Sequence, residues 1–92
     1  MSKKRMQVFF SGMVQGVGFR FTAERLARRF QVTGFVRNTE DGRVEVTAEG
    51  DEGTLTEFLT AIRESGMKDY IRDVEAHWSK ADGCFKGFGI AY

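Results

Sequence analysis

Two features of this sequence place reactive residue types at spacings that suit chemistry. The first is Gly12-Met13-Val14-Gln15-Gly16-Val17-Gly18-Phe19-Arg20, which joins an alternating apolar segment to a helix-periodic one. Backbone N–H groups in the first turn of a helix lack internal partners and sit at the positive end of its dipole. A Gly-rich lead-in lets further N–H groups converge into a nest for an anion, and Gly16 and Gly18 carry no Cβ to block the approach. Arg20 adds a forked, permanent cation suited to phosphate or carboxylate oxygens. The stretch is therefore an oxyanion-site candidate. The same spacing also fits a plain tight turn followed by a solvated arginine. It lacks Gly-Lys-Ser/Thr and the dinucleotide spacing, so nucleotide binding has no support.

The second feature is Asn38, which follows Gly34-Phe35-Val36-Arg37. An Asn amide offers both a donor and an acceptor, so it can orient a water without acting as a base. It can equally cap the turn ahead of Asp41-Gly42, a common use of Asn.

The elements that must position these residues follow from periodicity. Met6, Val8 and Phe10 alternate with Gln7 and Ser11, as in a strand, with Phe9 interrupting the polar side. From Phe21 onward, Ala23, Leu26, Ala27 and Phe30 form the apolar stripe of a helix, with Glu24 and Arg28 paired on its wet side. Residues 32–38 and 43–49 read as strands joined around Asp41-Gly42. In the latter, Val44, Val46 and Ala48 alternate with Glu45, Thr47 and Glu49, which predicts one buried face and one wet face. Leu55, Phe58, Leu59 and Ile62 mark a second helix that stops near Ser65-Gly66. Val74, Ala76 and Trp78 alternate again, and residues 88–92 form a last short strand. The order is β-α-β-β-α-β plus a small C-terminal strand. That is the α+β, ferredoxin-like split-βαβ sandwich, an antiparallel sheet with two helices on one face. In such a sheet the second strand can run beside the first and bring Asn38 to the 15–20 loop.

Composition narrows the classes. Ninety-two residues allow one domain, residues 1–92, with a modest core to which nine Phe contribute much. Net charge is +1, but residues 1–43 hold nine basic and three acidic side chains, while residues 44–92 hold five and ten. The single Cys84 excludes an internal disulfide framework and a four-Cys zinc site. No apolar run approaches the roughly 20 residues of a membrane span. The basic start, residues 1–5, is similar to a signal n-region, but Gln7, Ser11 and Gln15 interrupt what would follow, so the expected location is cytoplasmic. Lys3-Lys4-Arg5 reads as a solvated terminus.

At the level of motifs the chain resembles the acylphosphatase family over essentially its whole length. Val14-Gln15-Gly16-Val17-Gly18-Phe19-Arg20 is similar to the family's signature loop. Gly34-Phe35-Val36-Arg37-Asn38 with Asp41-Gly42-Arg43-Val44-Glu45 is similar to its second signature, and Phe88-Gly89-Ile90-Ala91-Tyr92 to its closing strand. The resemblance implies hydrolysis of an acyl phosphate to a carboxylate and phosphate, with no metal and no cofactor. It also implies that Arg20 and the N–H groups of Gln15, Gly16, Val17, Gly18 and Phe19 hold the phosphoryl group, and that Asn38 positions the attacking water. Met13 stands where the family usually has Arg, Phe35 where it often has Trp, and residues 66–71 lack its common Pro. The partner implied is a small acyl phosphate as substrate; the protein is expected to be a monomer, with neither nucleic acid nor membrane as a partner.

Other signals compete less well. Lys86–Tyr92 resembles the RNP1 string of an RNA-recognition motif, with Val8-Phe9-Phe10 posing as RNP2. It sits on the last strand rather than the third, however, and Ile90 replaces an aromatic residue. The N-terminal domain of hydrogenase-maturation carbamoyltransferases is also similar, but its loop usually continues into Pro, whereas Phe21-Thr22 follows here. A non-catalytic ferredoxin-like binding module is the third alternative. His77 lies on the polar phase of its strand, Cys84 has no partner base, and Ser11 has no Gly-x-Ser-x-Gly context, so none suggests a catalytic role.

Overall fold

A computed structural model describes residues 3–92; Met1 and Ser2, part of the basic N-terminal segment, lie outside the described residues. The elements are β1 (Lys3–Gly12), α1 (Phe19–Phe30), β2 (Thr33–Asn38), β3 (Val44–Asp51), α2 (Glu52–Arg63), a short 3₁₀ turn (Lys68–Tyr70), β4 (Ile71–Lys80) and β5 (Phe88–Ile90). The strands form one sheet in the order β4-β1-β3-β2-β5. This is the α+β ferredoxin-like arrangement expected from the sequence, with two differences. The sheet is mixed, because β5 runs parallel to β2 while the other pairs are antiparallel. β2 does not run beside β1: β3 lies between them and pairs with both.

Met6, Val8 and Phe10 of β1 and Val44, Val46 and Ala48 of β3 point to one side, where Ala23, Leu26 and Ala27 of α1 and Leu55, Phe58 and Ile62 of α2 cover them. Burying this apolar surface on one face is what fixes the register, since a one-residue slip would expose it. Glu24 and Arg28 pair at 3.5 Å on the wet side of α1. At the end of α2 the Ser65 hydroxyl donates to the Ile62 carbonyl at 2.6 Å and accepts from the Met67 N–H at 3.1 Å, which closes the helix.

The opposite face of β3 is not wet. Glu45, Thr47 and Glu49 are buried because flanking strands supply partners. Glu45 accepts from Arg37 Nε at 2.7 Å, from Gln7 Nε2 at 3.0 Å and from the Thr47 hydroxyl at 2.7 Å. Burial alone would raise the Glu45 carboxyl, but these donors outweigh it and hold the group below its ordinary value. Glu49 accepts from Arg5 Nε at 2.8 Å and from the N–H groups of Asp82 and Gly83 at 3.2 and 3.1 Å. Lys3-Lys4-Arg5 is therefore strand rather than solvated terminus, with Arg5 part-buried. Residues 81–87 cross this face from β4 to β5, and Phe85 packs edge-on to Phe35 and under Arg5.

Candidate active site

The site forms where β1 hands over to α1. Helix α1 begins at Phe19, two residues earlier than the apolar stripe indicates, because Gly18 adopts the left-handed conformation (φ 84°, ψ 17°) that serves as its N-cap. Gly16 is left-handed too, at φ 78°, and at both positions a Cβ would point into open space. These two glycines are thus required by backbone conformation, and they leave the loop's outer surface accessible. The helix start has no side-chain cap and no acidic residue in its first turn. Its orphan N–H groups remain available to an anion rather than being satisfied internally. Phe19, buried beneath, packs on Phe10 with ring centroids 4.9 Å apart and locks the helix start to the sheet.

Val14, Gly16, Gly18, Phe19, Arg20, Phe21 and Asn38 line one cleft of about 240 Å³. The structure thus brings Arg20 and Asn38 together across the loop even though β2 lies one strand farther from β1 than the sequence suggests. Arg20 has no acidic partner within ion-pair distance among the described residues; its guanidinium carbon lies 5.2 Å from the centre of the Tyr92 ring. A wider depression of about 430 Å³ near Lys3, Glu49 and Asp82 lies at the other end of β3 and gathers no comparable set of donors.

What sequence reasoning missed is how the cleft is braced. Both side-chain N–H groups of Gln15 are spent on the β2–β3 turn, donating to the carbonyls of Thr39 and Arg43 at 2.9 Å each. That turn is itself cross-linked. The Arg43 N–H donates to the Thr39 hydroxyl at 3.0 Å, Arg43 Nε donates to Asp41 Oδ2 at 2.9 Å, and the Thr39 hydroxyl donates to Asp41. The Thr39 hydroxyl and Arg43 hold the Asp41 carboxyl below its ordinary value. Arg43 also lies over Phe9, 4.4 Å from the ring centre, which gives that out-of-phase aromatic a place. The Pro-less segment docks on the start of the loop, with the Met13 N–H donating to the Tyr70 carbonyl at 2.9 Å. The only sequence signal for this bracing was Asp41-Gly42, whose Gly42 is left-handed at φ 89°.

The remaining reactive residues lie elsewhere. His77 is exposed and bonded to Glu75 on β4. Cys84 is exposed, and hydrogen bonding with Asp82 pushes its thiol up, which keeps it protonated. Among the described residues no group of three or more His, Cys, Asp or Glu is disposed to hold a metal ion. Among the described residues no helix is long and apolar enough to cross a membrane.

The acylphosphatase family model matches residues 6–90. The chain belongs to the acylphosphatase family. An acylphosphatase of Salinibacter ruber is 40% identical over 89 residues, covering 97% of this chain and 94% of that protein. The crystal structure of acylphosphatase from Bacillus subtilis superposes with a TM-score of 0.89 at 32% identity, covering 97% of this chain and 99% of that one. Full-length HypF superposes equally well, with a TM-score of 0.89 at 26% identity, but the match covers 98% of this chain and only 12% of that one. This acylphosphatase is an enzyme that hydrolyses acyl phosphates.

Proposed function

We propose that the acylphosphatase reaction is carried out in the cleft between α1 and the end of β2. Arg20 and the N–H groups of Gln15, Gly16, Val17, Gly18 and Phe19 hold the phosphoryl oxygens, and Asn38 orients the water. The observation that supports this most is the start of α1: without a side-chain cap, free of acidic residues in its first turn, led by a left-handed Gly18, with Arg20 free of ion pairs among the described residues. Water attacks phosphorus, the P–O bond to the acyl group breaks, and the water oxygen becomes part of the product phosphate. The leaving group is a carboxylate whose conjugate acid has a pKa of about 4, so it departs without a general acid. The water's protons pass to the phosphate and to solvent. Positioning and charge stabilisation therefore carry the rate.

Hydrolysis of benzoyl phosphate in ¹⁸O-water tests this reading. The label is expected in phosphate; label in benzoate would place attack at the carbonyl and remove the role assigned to Asn38. Arg20→Ala and Asn38→Ala should each lower kcat by about 10²-fold or more while thermal unfolding stays within a few degrees of wild type. Full turnover in either variant would refute its assigned role.

The same reading takes the enzyme as a cytoplasmic monomer acting without cofactor on a small substrate, and as one domain, the last supported by the continuous buried core among the described residues. Nucleic acid is not proposed as a partner. Phe88, the first aromatic of the RNP1-like string, packs edge-on against Phe58 of α2, at 5.9 Å, rather than lying on the open sheet face.

A further inference from the structure

We propose that Phe21, together with the ring of Tyr92, forms an acyl-group subsite that selects aromatic and bulky apolar acyl phosphates over acetyl phosphate. This rests on the phosphoryl position assigned above. The fold does not need an aromatic at residue 21. The buried residues of α1 are Phe19, Thr22, Ala23, Leu26 and Ala27, and Phe21 falls off that stripe with 65% of its surface exposed. Yet it forms part of the cleft wall beside Arg20 and Asn38. Tyr92 is 98% exposed while its ring lies over the Arg20 guanidinium, so it too contributes almost nothing to the core.

The wider pattern agrees. Among the described residues the exposed large apolar side chains are Met13, Phe21, Tyr70, Trp78 and Tyr92. Phe21 lines the cleft and Tyr92 lies over its Arg20, so these two exposed rings are neighbours at the site, while Met13 and Tyr70 lie beside the start of the loop, toward the β4 edge. Two exposed aromatic rings beside one cleft mark a binding surface in a way that a single scattered residue does not. The phosphoryl group occupies the polar floor of the cleft, so the acyl group must project toward its rim. There the apolar rings would shed water against an aryl or branched acyl chain, and a methyl group would gain little.

The test compares benzoyl, hexanoyl and acetyl phosphate on wild type, Phe21→Ser, Phe21→Leu and Tyr92→Ala. In Phe21→Ser, kcat/KM for benzoyl phosphate should fall about tenfold, with a change below about twofold for acetyl phosphate, given the area one ring can cover. The inhibition constant of inorganic phosphate should stay within about twofold, because phosphate lacks an acyl group. Phe21→Leu should restore most of the hexanoyl rate, and Tyr92→Ala should lower the benzoyl-to-acetyl ratio in the same direction. An equal loss on all three substrates, or an unchanged benzoyl-to-acetyl ratio in Phe21→Ser, overturns the subsite. Failure of the phosphoryl assignment looks different: Arg20→Ala would retain both activity and phosphate inhibition.

Discussion

Replacing Gln15 with Leu tests whether the cleft's two walls are held in register by one side chain. Leu keeps similar bulk and removes both N–H donors, each of which bonds a turn carbonyl at 2.9 Å. A neutral hydrogen bond contributes about 0.5–1.5 kcal/mol net, and because these carbonyls are exposed, water can replace the donors. The stability loss should therefore be about 1 kcal/mol, or about 4–8 °C in Tm for a domain of this size. The kinetic loss should be larger. Asn38 sits at the start of the turn that Gln15 holds, and a misplacement of about 1 Å in a reacting constellation can cost 10²-fold. We expect kcat for benzoyl phosphate to fall about 10- to 100-fold, with the inhibition constant of phosphate nearly unchanged because Arg20 and the loop N–H groups are intact. Gln15→Glu should be worse at neutral pH, since a carboxylate facing two carbonyls repels both. It should recover partly as pH falls, beginning above the ordinary Glu value because the two carbonyls disfavour the charged form, and a protonated Glu can donate once. Wild-type kcat in Gln15→Leu would refute the bracing argument. A parallel loss of phosphate binding would show that the loop itself depends on the strut.

Two further variants probe the scaffold. Gly34→Ala places a Cβ 1.9 Å from the Thr47 carbonyl oxygen at φ 140°, so β2 must move off β3. We expect a loss above about 3 kcal/mol or failure to fold, measured by urea unfolding, and a stable variant would mean the β2–β3 register is softer than described. Glu45→Gln removes a buried carboxylate whose folded pKa is depressed. Such a group contributes stability that is present above its unfolded value, 4.5, and is lost as pH falls through the lower folded value. The variant should lose about 2 kcal/mol at pH 7 and show a shallower decline of stability below pH 4.5 in acid unfolding. An unchanged acid profile would mean Glu45 titrates alike in both states.

How much of this was legible in the sequence depends on whether a signal was local. Apolar periodicity located both helices and the strands, whereas Arg20 and Asn38, whose positions also suit a solvated arginine and a turn cap, were singled out by the two family-like motifs that carry them. Periodicity misjudged Glu45, Thr47 and Glu49, because burial on that face comes from Arg5, Gln7 and Arg37 on neighbouring strands. Those pairs span up to 44 residues of sequence, and no single strand reveals them. The start of α1 moved to Phe19 because a left-handed glycine ends the loop where side-chain pattern is silent. Gln15 looked like one more residue in a backbone nest. Only the folded turn shows where its amide goes.

The crossing by residues 81–87 has a consequence for assembly. β4 and β5 occupy opposite edges of the sheet, so this segment must traverse four inter-strand spacings. At about 4.8 Å each that is about 19 Å. The eight steps from Lys80 to Phe88 reach about 26 Å when fully drawn out. The tether therefore spans the sheet with little slack, so the pairing of β5 with β2, which sets Tyr92 over Arg20, fits only a sheet in which β1 and β3 lie between the two edges.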